Sequence, residues 1–295
     1  MSKDKTYRYD DNFKAKARKH QFEFRENELN DFYDEKNPQV ILTPEAAKKG
    51  LIFCDTYREF IRTKLKSFKA TALCSNMLRS EHIPYNIFTP MEMDLEASVS
   101  LFNEIIRGGI SSITEIKIEF AGDGEKDEYL NDGTSFDAFI KYTSVDGKKG
   151  GIGIEVKYTE KEYRIGDIEE KAIENATSKY HQKTKESGYF VSSLDVLSFI
   201  KANHLRQIWR NHILGYSMLQ RGDIQHFHHI HLYPKGNVHF HKRAIPEYRQ
   251  LLTEEGEHTF IALTFEELLA LLSKYFTSPK QVEWQDYLRR RYIVS

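Results

Sequence analysis

The apolar residues change their spacing at Gly108-Gly109, and that change limits the folds open to the chain. Before it, Leu95, Val99, Leu101, Phe102, Ile105 and Ile106 recur as one face of a helix that the two glycines end. After it, Ile113, Ile116, Ile118 and Phe120 alternate with polar residues, which predicts a strand over 113–120. A loop rich in Gly, Asp and Asn follows (122–133). A second strand is expected over 134–142, a turn at Val145-Asp146-Gly147, and a third strand over 150–158. Three strands at this spacing read as an antiparallel meander.

The flanks are mostly helical. Thr43-Pro44-Glu45 sets a cap and then a proline at a first helical position. Residues 56–68 put Phe60, Ile61, Leu65 and Phe68 on one face, and 70–81 continue helical before Pro84. Beyond the meander, helices are expected at 168–184 and 204–220, and short strands at 227–233, 238–240 and 260–263. Helices at 265–275 and 282–291 close the chain. This reads as a single α/β domain, with residues 1–69 as a helical N-terminal extension and 70–295 carrying the meander. Residues 1–40 are strongly charged and read as a solvated arm or a surface helix, with a nucleic-acid arm as the sharper alternative.

Composition excludes several classes. With 17 Tyr and 19 Phe there is ample surface to bury, against low-complexity disorder. Lys and Arg total 43 against 44 Asp and Glu, so no global basic field attracts a polyanion. No run approaches the ~20 apolar residues of a membrane helix. The start Met1-Ser2-Lys3-Asp4-Lys5 has no apolar stretch, and Cys54 and Cys74 read as a reduced pair, so a cytoplasmic location is expected.

The chemistry concentrates on the second and third strands. Strand alternation puts Glu155 and Lys157 on one face, in a run otherwise made of Ile152, Gly153, Ile154, Val156 and Tyr158. A Glu and a Lys there are expensive to bury without partners. Folding at Asp146-Gly147 brings Asp137 roughly opposite Glu155. Two converging carboxylates suit a hard divalent cation such as Mg²⁺, and the Val156 carbonyl is a further oxygen within reach. Lys157 is placed to orient or deprotonate a water, or to stabilise phosphoryl charge. The competing reading is an ion-pair network on an exposed sheet face.

Asp137 followed by Glu155-Val156-Lys157, in an αβββαβ element order, resembles the PD-(D/E)XK nuclease superfamily. Gly133-Thr134-Ser135-Phe136-Asp137, Ile154 to Glu160, Leu205 to His212, and Leu78-Arg79-Ser80-Glu81 with Asn86-Ile87-Phe88 are similar to an uncharacterised bacterial branch of it. The resemblance covers about residues 70–275. It implies a restriction-endonuclease-like mixed sheet flanked by helices, with Mg²⁺ or Mn²⁺ as cofactor and DNA, or also RNA, as substrate. It also implies Asp137, Glu155 and the Val156 carbonyl as metal ligands and Lys157 as the catalytic lysine. The superfamily often adds a glutamate from a helix before the sheet; Glu81 is favoured over Glu96 and Glu104, with Glu119 a further candidate. Phe136 stands where the motif's proline would be. A helical Gln beside the metal site points to Gln207, and Arg206 or Arg210 would grip a phosphate. The competing reading of Gln207 and Arg210 is the polar face of an ordinary helix. A nuclease fold that binds nucleic acid or a protein without cutting is the alternative function.

Two other features offer rival chemistry. His226, His228, His229 and His231 fall on one expected strand and His239 and His241 on the next, a pattern that can chelate Zn²⁺. Arg289-Arg290-Arg291 could meet a phosphate backbone or simply close a helix end.

Overall fold

The structure is a computed structural model of the chain. It describes Tyr7 and residues 10–32, 39–162, 166–192 and 202–294, apart from the side chain of Ile168. The opening residues Met1 to Lys5 and the acidic Asp34 and Glu35 lie outside the described residues.

A five-stranded mixed sheet in the order β1-β2-β3-β4-β5 organises the molecule. Its strands are β1 (Ile110–Phe120), β2 (Phe136–Ser144), β3 (Lys149–Val156), β4 (His226–Tyr233) and β5 (Phe260–Thr264). The first three form the expected antiparallel meander; β4 and β5 add parallel to β3. The framing helices are α1 (Asn12–Asn27), α2 (Ile83–Met91), α3 (Leu95–Ile106), α4 (Asp167–Glu174), α5 (Lys179–Glu186), α6 (Asn203–Arg221), α7 (Phe265–Tyr275) and α8 (Pro279–Tyr292).

Two apolar clusters sandwich the sheet. On one face Ile116, Ile140, Ile154 and Leu232 pack with α1, α2, α3, α7 and α8. On the other, Phe139, Phe227 and Phe260 pack under α6 through Ile208, Trp209 and Ile213. The N-terminal segment shares the first core, with Phe13, Ala17 and Phe24 buried in it. Gln21 Nε2 on α1 donates to the Tyr158 hydroxyl at 2.8 Å and to the Arg291 carbonyl at 2.6 Å. Residues 12–27 are thus a packed helix and not a free arm.

The spacing of β1 has a physical cause. Ile110, Ile113 and Ile116 are buried at intervals of three, which in a plain strand would place them on alternating faces. The register slips between Ile110 and Ser112 and between Ile113 and Glu115, two residues of β1 against one of β2 each time. These bulges return each isoleucine to the same face.

Three expectations are corrected. Only Ala72–Ser75 is helical within 70–81. The chain instead forms α2, a fully buried helix that opens on Pro84 in its first turn and carries Pro90 in its last. Both prolines sit where a helix tolerates them or is about to end. Residues 168–184 form two helices, α4 and α5, rather than one. Val238–Phe240 is helical and runs into Phe240–Ala244 and Ile245–Arg249, not a strand. Asn237 starts that turn, its carbonyl accepting from Phe240 and His241, while its side chain donates to the Tyr158 and Glu160 carbonyls.

Gly153 is where β3 runs closest to its surroundings. A Cβ there would come within 2.3 Å of the ring of Phe136, itself fully buried. Gly153→Ala is expected to destabilise the fold by about 1–3 kcal/mol, read as a lowered urea midpoint with an unchanged m-value.

Candidate active site

The last pairing of β2 with β3 is Ala138 with Ile154, so Asp137 and Glu155 follow as the next positions across the two strands. The Val156 main-chain N–H donates to Asp137 Oδ2 at 2.6 Å. N–H and C=O of one strand residue point to the same side, so the Val156 carbonyl opens toward Asp137 as well. Glu155 is 3% exposed and pairs with Lys157 Nζ at 2.5 Å. Its other oxygen accepts from Asn211 Nδ2 of α6, also at 2.5 Å.

Electrostatics follow from this crowding. Desolvation and the neighbouring Glu155 charge push the Asp137 carboxyl well above the ordinary value; Lys157 and the Val156 N–H oppose this only in part. Burial works against the Lys157 ammonium, but Glu155, Asp137 and Glu160 outweigh it and hold that group above the usual lysine range. Lys157 is therefore a fixed cation. One ammonium faces two enclosed carboxylates, and the surplus charge is negative.

These groups line a cleft of about 380 Å³. Glu81 lines it from the turn before α2, paired with Arg79. Glu104 lies elsewhere, bound to Lys274 and Tyr275, and Glu96 sits in the first turn of α3. Glu119 stands at the cleft edge, its carboxyl pushed up by crowding on the protein side and by the charges of Glu155 and Glu81. Its φ of 57° is left-handed, a costly conformation for a residue with a side chain.

Gln207 lines the cleft one helical turn from Asn211, to which its Nε2 donates at 3.0 Å. Arg206 and Arg210 have a different setting from the solvent-facing grip expected of them, since both side chains are only 2% exposed. Arg210 binds Asp132 at 2.8 Å and Glu169 at 2.7 Å, and Arg206 reaches Glu170 at 3.4 Å. They brace α4 and the 132–134 loop against α6. Arg79, with half its side chain exposed, is the more open cleft guanidinium.

Sequence reasoning missed Asn211 and Glu160. Asn211 lay within a quoted motif, and its signal was the i,i+4 relation to Gln207. Glu160 accepts from the Tyr158 N–H at 2.9 Å and from Ser80 through its N–H at 2.9 Å and its hydroxyl at 3.2 Å. With Thr159 Oγ1 donating to the Leu78 carbonyl, it ties the turn bearing Arg79 and Glu81 to the end of β3. Two residues between one local strand and a distant turn leave no periodic trace.

The histidines do not assemble as the rival reading requires. His229 and His231 are buried on one face of β4, with burial lowering the pKa of both. His239 and His241 belong to the helical turn after β4. Among the described residues no three His, Cys, Asp or Glu side chains converge as a metal-binding group. Cys54 and Cys74 are buried and unbridged. Of the basic C-terminal run, Arg289 pairs with Asp286, Arg290 with Glu28, and Arg291 is buried over the Phe24 ring. No helix among the described residues is long and apolar enough to cross a membrane.

A mixed sheet with a carboxylate from β2 and a Glu-x-Lys on β3, covered by a helix, defines a class of nuclease-type sites. The chain belongs to the PD-(D/E)XK nuclease superfamily, whose family model matches residues 8–294, nearly its whole length. No curated protein and no solved structure matches it.

The raised Asp137 pKa gives a sign that stability can test. The folded state holds this proton to higher pH than the unfolded chain, so Asp137 costs stability as pH rises through and above the ordinary value of 3.8. Asp137→Asn keeps an acceptor for the Val156 N–H. Without divalent metal it should melt above wild type at pH 7, with the gap closing as pH falls below about 4, in thermal melts across pH.

Proposed function

We propose that the chain is a Mg²⁺- or Mn²⁺-dependent nuclease that hydrolyses phosphodiester bonds of DNA, with RNA as a further substrate. The observation that carries this reading is the meeting of Asp137 and Glu155 across β2 and β3 with one ammonium between two carboxylates. The donors are all oxygens, which suits a hard cation and not Zn²⁺. Asp137, Glu155 and the Val156 carbonyl would hold the ion, with Glu81 or Glu119 reaching it through water or substrate oxygens. A bound divalent cation supplies Lewis acidity toward a phosphoryl oxygen and a more acidic water.

The chain's own groups do the remaining work. Lys157, held as an ammonium, orients the attacking water and stabilises charge developing on the phosphoryl oxygens. Asn211 keeps the Glu155 carboxylate turned toward the cleft, and Gln207 keeps Asn211 in place. Arg79 meets the flanking phosphate. Arg206 and Arg210 hold the wall that the strand lies against.

Wild type with Mg²⁺ or Mn²⁺ should nick or degrade DNA, and Asp137→Ala should lose about a hundredfold or more of that rate. Cleavage at an equal rate by the variant would remove the proposed site. DNA binding without metal-dependent cleavage would favour the same fold acting as a binding protein.

A further inference from the structure

A second cavity, of about 240 Å³, opens on the α6 side of the sheet beyond the cleft. Phe120 and Phe139 line it, with Met218 and Ile224 beside them and Lys141 and Lys149 at its polar margin. Its volume lies below the ~300–1,000 Å³ of pockets for drug-sized ligands and suits a single ring system. Cleft and cavity lie along one helix. Gln207 and Arg210 of α6 face the first and Met218 the second, roughly 12–17 Å apart at about 1.5 Å per residue.

The strained Glu119 links the two. In a regular strand Ile118 and Phe120 would share a face. Instead Ile118 packs against the core of the α2–α3 side, while Phe120 joins the cluster under α6, its ring centroid 4.7 Å from that of Phe139. The left-handed turn at Glu119 makes that switch. One residue thus feels the carboxylates of the cleft, and its neighbour forms the aromatic wall of the cavity. Strain of this kind persists where the surroundings hold it for a purpose.

The geometry points to the cavity as a nucleobase pocket for the strand whose phosphate occupies the cleft. This rests on the nuclease reading and adds to it a substrate class, a single strand or a frayed end able to turn one base out of its stack. The base lies against Phe120, backed by Phe139, as bases do on aromatic side chains. Lys141 and Lys149 balance the phosphate next to it. A fully stacked duplex cannot present a base there without unpairing it.

The test uses the full chain and does not depend on cleavage. Isothermal titration compares 5′-deoxyadenosine monophosphate with 2-deoxyribose 5-phosphate, which lacks the base. Wild type should prefer the nucleotide by about 5- to 150-fold. Thr114→Trp, at an exposed position on the rim, should fill the cavity and abolish the preference while Mn²⁺ binding in the cleft stays unchanged. Lys149→Glu should weaken both ligands severalfold. Equal binding of the two ligands by wild type, or a preference that survives Thr114→Trp, would overturn the base pocket. Absence of DNA cleavage alongside an intact preference would count against the nuclease reading alone.

Discussion

Two carboxylates enclosed side by side with a single ammonium are the interaction on which the rest of this structure turns. Like charges in a poorly solvated place cannot both ionise cheaply. The sheet nevertheless brings Asp137 and Glu155 together, and the neighbourhood is built to tolerate it. The Val156 N–H bonds one carboxylate, and Lys157 and Asn211 bond the other. A chain selected for stability alone would put apolar side chains there. The retained surplus of negative charge fits a seat for a cation, which is why the electrostatics and the family membership point the same way.

The fold serves that arrangement at several removes. Bulges in β1 keep its isoleucines in the core while Glu119 stays at the cleft edge. The absence of a side chain at Gly153 lets Phe136 pack close to β3 immediately before Asp137. Thr159, Glu160 and Asn237 lash the exit of β3 to the turn before α2 and to the segment after β4. Helix α6 is the roof: Asn211 reaches Glu155, and Arg210 braces α4 through Glu169.

The meander and its metal-seat candidates were legible because strand alternation and a tight turn are local signals. Asp137, Glu155 and Lys157 could be set on neighbouring strands by counting from Asp146-Gly147. Helix α2 was hidden by prolines that sit only in its first and last turns. Val238 to Phe240 alternates like a strand, but the side chain of Asn237 is anchored to a remote carbonyl pair and starts a helix instead. The roles of Arg210 and Glu160 depend on partners far away in sequence, which no spacing rule reaches. The Glu119 conformation is invisible for the same reason, since nothing in Ile118-Glu119-Phe120 announces a left-handed residue.

The central claim is that Asp137 and Glu155 form a seat for one divalent cation, and Mn²⁺ titration followed by electron paramagnetic resonance tests it most directly. Wild type should take up Mn²⁺ at one saturable site, and Asp137→Asn should weaken that uptake by at least about tenfold while keeping its fold. Equal uptake by the two proteins, or none by wild type, would contradict the account.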